Sequence, residues 1–114
     1  VDAAQAGNAD ARIALEVFVA QIRKYIGAFL VEMNGADLIV FTAGIAEFNP
    51  DLRAQICAGM DFCGLALDPE ANDRTRSEEA VISAPGSRIE VRVIPTNEEL
   101  VIARNAWAKL AEPR

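Results

Sequence analysis

Two stretches of this chain carry residues whose types and spacing could do chemistry. The first, FTAGIAEFNPDLR at residues 41 to 53, runs an apolar, strand-like segment through a glycine-containing loop into a helix start. Backbone at such a junction can meet an anion, because unpaired N–H groups and the partial positive charge of a helix start face the loop. A lone glycine is weak support for a phosphate cradle, and a plain turn explains it equally well. The second stretch is VIPTNEELVIAR at residues 93 to 104. Thr96 and Glu99 have the spacing of a capping box, in which hydroxyl and carboxylate satisfy opposite N–H groups at a helix start. Glu98 is not needed for that box. It is either ordinary first-turn electrostatics, which the residues alone favour, or a carboxylate facing a crevice, where it could hold Mg2+ directly or through water.

The rest of the composition narrows the choice. Histidine is absent, which excludes a Ser-His-Asp or Cys-His site and any imidazole-bound metal made from these residues alone. Cys57 and Cys63 lie six apart in what reads as a helix, a separation of about 9 Å along its axis that a disulfide does not span. Core packing is the expectation for both. With 11 basic and 17 acidic residues the formal charge is −6, which repels nucleic acid. No apolar run approaches the roughly 20 residues that cross a bilayer, and no basic-then-apolar leader is present. The expectation is a soluble cytoplasmic protein with neither nucleic acid nor membrane as partner. The chain opens on Val1 rather than Met, which reads as an excerpt, a processed product or a partly observed chain.

The elements that must position those stretches follow from periodicity. Apolar residues from Ile13 to Met33 recur at helical spacing over a segment from Asp10 to about Met33, with Asp10 as cap and Asn34-Gly35 as stop. Asp37 to Thr42 is an apolar run without alternation, the pattern of a strand covered by helices on both faces. Asn49 reads as an N-cap and Pro50 as the first residue of a helix closed by Gly64. The polar stretch 70 to 79 reads as a mobile loop. Residues 80 to 84 and 88 to 94 read as a strand pair around Pro85-Gly86-Ser87, with Ile89, Val91 and Val93 on one face and Glu90 and Arg92 on the wetter one. A last helix runs from Asn97 to about Leu110 with Leu100, Ala103, Trp107 and Leu110 on its apolar face. The 114 residues form one α/β domain, 1–114, with a sheet flanked by helices.

KYIGAF at 24 to 29, IVFTAGIAE at 39 to 47, LALDPEAN at 65 to 72 and AVISAPGSRIEVRVIPTNEELVIAR at 80 to 104 stand in the order and spacing of the C-terminal part of acetate kinases. The chain resembles that family, with propionate kinases sharing the pattern, over nearly its whole length. The resemblance implies an incomplete ribonuclease-H-like lobe of the actin, sugar kinase and Hsp70 superfamily, with a mixed sheet flanked by helices. It implies transfer of phosphate from ATP to acetate, or propionate, giving acetyl phosphate and ADP with Mg2+, and a homodimer assembled through this lobe. Carried over by position, Gly44, Ile45, Ala46 and Phe48 fall in the nucleotide-binding loop, and Glu98 becomes the magnesium carboxylate.

The chain departs from the family at two of these positions. Ala46 replaces a glycine, adding a Cβ where the backbone approaches ligand. Phe48 replaces an asparagine, removing a donor and an acceptor. Two readings of Phe48 stay open: a ring stacked on adenine, or a ring that fills a gap in the core or cleft. The family's substrate-binding arginines, catalytic aspartate and histidine lie upstream of this region, so no catalytic residue is expected within it, and the isolated chain is expected to be inactive. The alternative is a non-catalytic truncated module for oligomerisation or binding. A reading frame that encodes a first lobe before Val1 favours the enzyme, and a start codon near Val1 favours the module.

Overall fold

The computed structural model describes residues 1–111, so the end of the expected domain, 1–114, lies outside the described residues. Helix α1, Asp2–Gln5, leads into α2, Ala9–Glu32. Its start is capped by the Asn8 side chain, which accepts the Ala11 N–H at 3.0 Å. Asp10, expected to cap, sits instead in the first turn, where a carboxylate still suits the helix dipole. The stop is as expected: Asn34 and Gly35 take positive φ, and the Gly35 N–H reaches back to the Leu30 carbonyl at 2.7 Å.

Strand β1, Leu38–Phe41, pairs parallel with β3, Glu90–Val93, and β2, Ala80–Val81, pairs antiparallel with the other edge of β3. The mixed sheet therefore has the order β1-β3-β2. A parallel pair needs a long crossover. Here it contains α3, Ile45–Phe48, α4, Pro50–Cys57, a 3-10 turn at Asp61–Cys63, and α5, Pro69–Arg74. The last element is α6, Glu98–Ala111.

The core gathers around the central strand. Val91 and Val93 are fully buried against Leu52 and Ile56 of α4, with Ile82 and Leu65 beside them. Glu90 and Arg92 occupy the wetter face, as the alternation predicts. Strand β1 departs from its reading, because Leu38 and Val40 are exposed. Among the described residues the helices cover only the Ile39 and Phe41 side of it.

Three further expectations change. The helix that begins at Pro50 stops at Cys57, and Gly64, with φ +88°, closes the 3-10 turn instead. Arg23 of α2 donates to the Ile56 carbonyl at 2.8 Å and to that of Ala58, covering the open end of α4. The polar stretch after residue 69 contains a helix: Asp68 accepts the Glu70 and Ala71 N–H groups at 3.0 Å each, and Pro69 takes the first helical position. Cys57 and Cys63 are free, as expected. Among the described residues no helix is long and apolar enough to cross a membrane.

The radius of gyration is 17.5 Å, against about 13 Å for a compact domain of this length. Helix α6 is exposed along its described length, with Trp107 at 75%.

Candidate functional site

Parallel pairing in register sets the C-terminal ends of β1 and β3 side by side, with Phe41 opposite Val93. The chain leaves β1 into the loop that opens α3 and leaves β3 into the turn that opens α6. A cleft of about 420 Å³ lies between the two exits. On the loop side it is lined by Ala43, Gly44, Glu47 and Phe48. Residues 96 to 99, together with Ser77, form the other wall. Crevices at the carboxyl ends of strands are where open α/β sheets take ligands.

The loop is bent by backbone that few residues tolerate. Ala43 has φ +58°, and Gly44 has φ +54° with ψ −127°, a conformation that glycine adopts at little cost. Nothing lies within 4 Å of a Cβ built on Gly44, so the glycine answers to backbone conformation, not to crowding.

Glu47 joins the two walls. It is only 4% exposed. Its Oε1 accepts the Ala43 N–H at 2.6 Å, the Thr96 N–H at 3.0 Å and the Thr96 hydroxyl at 3.3 Å, while Oε2 accepts the Ser77 hydroxyl at 3.1 Å. The Thr96 amide, helped by Ala43 and Ser77, holds the carboxyl below the ordinary glutamate range although burial pushes the other way. The Thr96–Glu99 capping box does not form: the Thr96 hydroxyl donates to Glu47, and the helix starts one residue later, at Glu98. Asn97 caps α6 in its place, its Oδ1 accepting the Leu100 N–H at 3.0 Å.

Beneath the loop, Arg53 is fully buried, and among the described residues no carboxylate pairs with its guanidinium. It donates to the carbonyls of Ala46, Glu47, Asn72 and Thr75 and to Asn72 Oδ1, at 2.6 to 2.9 Å. Asn72 in turn donates to the Pro50 carbonyl at 2.9 Å. Asn49 caps α4, accepting the Leu52 N–H at 2.9 Å. The backbone on both sides of Phe48 is thus anchored, while its ring is 58% exposed in the cleft.

Of the residues expected from the sequence, Gly44, Phe48 and Glu98 meet at this cleft. Ile45 is exposed outside its lining, and Ala46 packs toward the core. Sequence reading missed Glu47 and Arg53. The signal for Glu47 was a carboxylate inside an otherwise apolar loop; Arg53 had none, since its partners lie up to 22 residues away. Glu98 and Glu99 are the exposed carboxylates of the cleft, and among the described residues no Lys or Arg is part of its lining.

Residues 1–104 match the Acetokinase family. The chain belongs to that family. It is 52% identical to an acetate kinase of Dictyoglomus turgidum over 97% of this chain and 27% of that protein. Against the acetate kinase of Clostridioides difficile, identity is 50% over 91% of this chain and 26% of the relative. The crystal structure of Porphyromonas gingivalis acetate kinase superposes with a TM-score of 0.82 at 38% identity, covering 96% of this chain and 27% of that one. A propionate kinase from Francisella tularensis gives 0.76 at 32% identity, over 90% and 26%. The chain thus spans about a quarter of the length of these relatives.

Proposed function

We propose that this chain supplies one wall of the nucleotide cleft in an acetate kinase, in which ATP phosphorylates acetate, or propionate, to give the acyl phosphate and ADP. The observation that carries this reading is the meeting of the Gly44–Phe48 loop and Glu98 across one cleft in a member of the Acetokinase family. On this reading the fold is the C-terminal part of a ribonuclease-H-like lobe of the actin, sugar kinase and Hsp70 superfamily, working in the cytoplasm.

The residues fit a magnesium nucleotide in a limited way. Among the described residues no cluster of three or more His, Cys, Asp or Glu forms a cage for a metal. Mg2+ does not need one, since it usually keeps several waters and takes one or two carboxylates beside substrate phosphates. Glu98 is the donor of that kind, and the bound ion would neutralise charge on the phosphates. The chain's own part is positional: Glu47 fixes the loop against Thr96, and Gly44 brings backbone to the cleft without a side chain.

Titration of the isolated chain with ADP followed by NMR tests the reading. Weak shifts at Gly44 and Phe48, extending to Glu98 when Mg2+ is added, are expected; an unperturbed cleft refutes it. The isolated chain, given ATP, Mg2+ and acetate, is expected to yield no acetyl phosphate trapped as its hydroxamate. Turnover that depends on Glu98 would show that the catalytic groups lie within these residues.

A second reading, a non-catalytic module that pairs with a copy of itself, draws on the exposed apolar residues of α2. Ile13, Val17, Tyr25 and Phe29 form a helical stripe without cover among the described residues. A homodimer in analytical ultracentrifugation at micromolar concentration is expected, and it is compatible with both readings. A strict monomer removes the second.

A further inference from the structure

Glu47 draws three separate parts of the chain to one carboxylate. Ala43 comes from the loop after β1, Ser77 from the segment between α5 and β2, and Thr96 from the turn between β3 and α6. The side chain accepts four donors, about as many as a carboxylate can take, so the chain's own groups saturate it. Two of those donors belong to strained backbone. Ala43 at φ +58° and Ser77 at φ +46° are left-handed without being glycine, a state that persists only where surrounding bonds over-determine it. The Ser77 N–H adds a bond to the Glu47 carbonyl at 3.1 Å.

The Thr96 bonds act beyond Thr96 itself. Ile94 is fixed to the sheet by its N–H on the Phe41 carbonyl at 2.9 Å, and α6 opens at Glu98. Between them, Pro95 has no N–H, Asn97 turns its side chain to the Leu100 N–H of its own helix, and Thr96 gives both of its donors to Glu47. The start of α6 is therefore set from the opposite wall of the cleft. Resting on the nucleotide reading above, we infer that Glu47 is a positioning residue: it touches neither nucleotide nor metal, and through Thr96 it holds Glu98 at the distance from the Gly44 loop that one magnesium nucleotide spans. The role requires reach, not charge. A glutamine keeps the length and an acceptor oxygen for Ala43 and Thr96, and its amide can donate to the Ser77 hydroxyl, which also accepts. An aspartate keeps the charge but is a methylene too short to bridge the walls.

The test uses the 114-residue chain and its Glu47→Gln, Glu47→Asp and Glu47→Ala variants, with hydrogen exchange at the Ile94 amide to confirm that each is folded. Without ligand, residual dipolar couplings of the Asn97, Glu98 and Glu99 amides, referred to those of β3, are expected to match the parent in the Gln variant and to depart from it in the Asp and Ala variants. With Mn2+–ADP, a paramagnetic stand-in for the magnesium complex, the parent is expected to broaden at both Gly44 and Glu98. The Gln variant should bind within about threefold of the parent and the Asp and Ala variants about tenfold more weakly, the lower end of what losing a supporting group costs a metal site. A role confined to stability would leave both readouts of the folded Ala variant unchanged, and that result overturns the inference. If the Ala variant does not fold, the Gln and Asp variants decide. Parent-like couplings in the Asp variant, or a Gln variant displaced as far as the Asp variant, overturn it whether or not nucleotide binds. If the couplings move as expected but Mn2+–ADP broadens neither Gly44 nor Glu98 in the parent, the nucleotide reading falls, and the role toward Glu98 with it.

Discussion

The Arg53 guanidinium donates to the Glu47 carbonyl oxygen at 2.9 Å, while the Glu47 carboxylate turns the other way and accepts the Thr96 amide at 3.0 Å. The two charges do not pair. Each instead collects neutral backbone and side-chain groups, the guanidinium from α3, α5 and the Thr75 cap and the carboxylate from both walls of the cleft. The result is a continuous chain of hydrogen bonds from the buried Asn72 of α5, through the loop, to the start of α6.

Removing the cation breaks the chain at its most buried link. Arg53→Ala strands acceptors from Ala46, Glu47, Asn72 and Thr75 away from water, and unsatisfied buried groups cost about 1–3 kcal/mol each before relaxation. A loss of about 3 kcal/mol or more is expected in urea unfolding. Arg53→Lys should recover less than half of it, because an ammonium has three donors and no planar fork. A Lys variant as stable as the parent would mean that charge, not geometry, holds the site.

The Glu47 carboxyl is held below its ordinary range by the Thr96 amide, so its contribution has a definite sign with pH. The ionised form is the one the fold favours. Its stabilisation is complete above the carboxylate range of the unfolded chain and is lost as pH falls through the lower folded value. Urea midpoints measured from pH 7 down to pH 3 should therefore fall more steeply for the parent than for Glu47→Gln. The two curves should converge at the acid end. Parallel curves would show that another group carries the slope.

Burial pushes the Cys57 thiol up to about 11, against the opposing pull of Arg23 and Arg53. At pH 8 its thiolate is about a hundredfold scarcer than that of an ordinary cysteine. Alkylation read by mass spectrometry should label Cys63, which is half-buried, well before Cys57. Cys57 should react at the ordinary rate once urea unfolds the chain. Equal labelling in the native state would place Cys57 at the surface.

What the sequence disclosed follows the range of the interactions. Helix α2, the Asn49-Pro50 start and the alternating strand β3 are written in neighbours a few residues apart, and periodicity or cap chemistry finds them. The short helix α5 carries an equally local signal in Asp68-Pro69, but the polarity of its surroundings hid it. Asn72 and Thr75 are polar because they face Arg53 at the centre of the fold, not because they face water. Thr96 was misread for the same reason. A capping box is a local pattern, and the carboxylate that claims the threonine comes from 49 residues earlier. Resemblance to a family pointed to Gly44, Phe48 and Glu98, which lie far apart in the chain and line one cleft in the fold.

The sharpest test of the loop's geometry compares one substitution at two glycines. A Cβ on Gly44 or on Gly27 has no atom within 4 Å to strike, so sterics with neighbours cannot distinguish them. Backbone conformation does. Gly44 sits at φ +54°, ψ −127°, a region that L residues avoid at a cost of about 1–3 kcal/mol. Gly27 lies within α2, where replacing glycine by alanine restricts the unfolded chain and gains about 0.5–1 kcal/mol. Gly44→Ala should therefore lower the thermal midpoint and Gly27→Ala raise it. Because the strain at Gly44 sits in the cleft, its variant should also shift the Thr96 amide, which Glu47 ties to the same loop. Gly27→Ala should leave that amide where it is. If Gly44→Ala is neutral, the loop relaxes into an ordinary turn without its glycine, and the conformation at this position is not required to hold the two walls together.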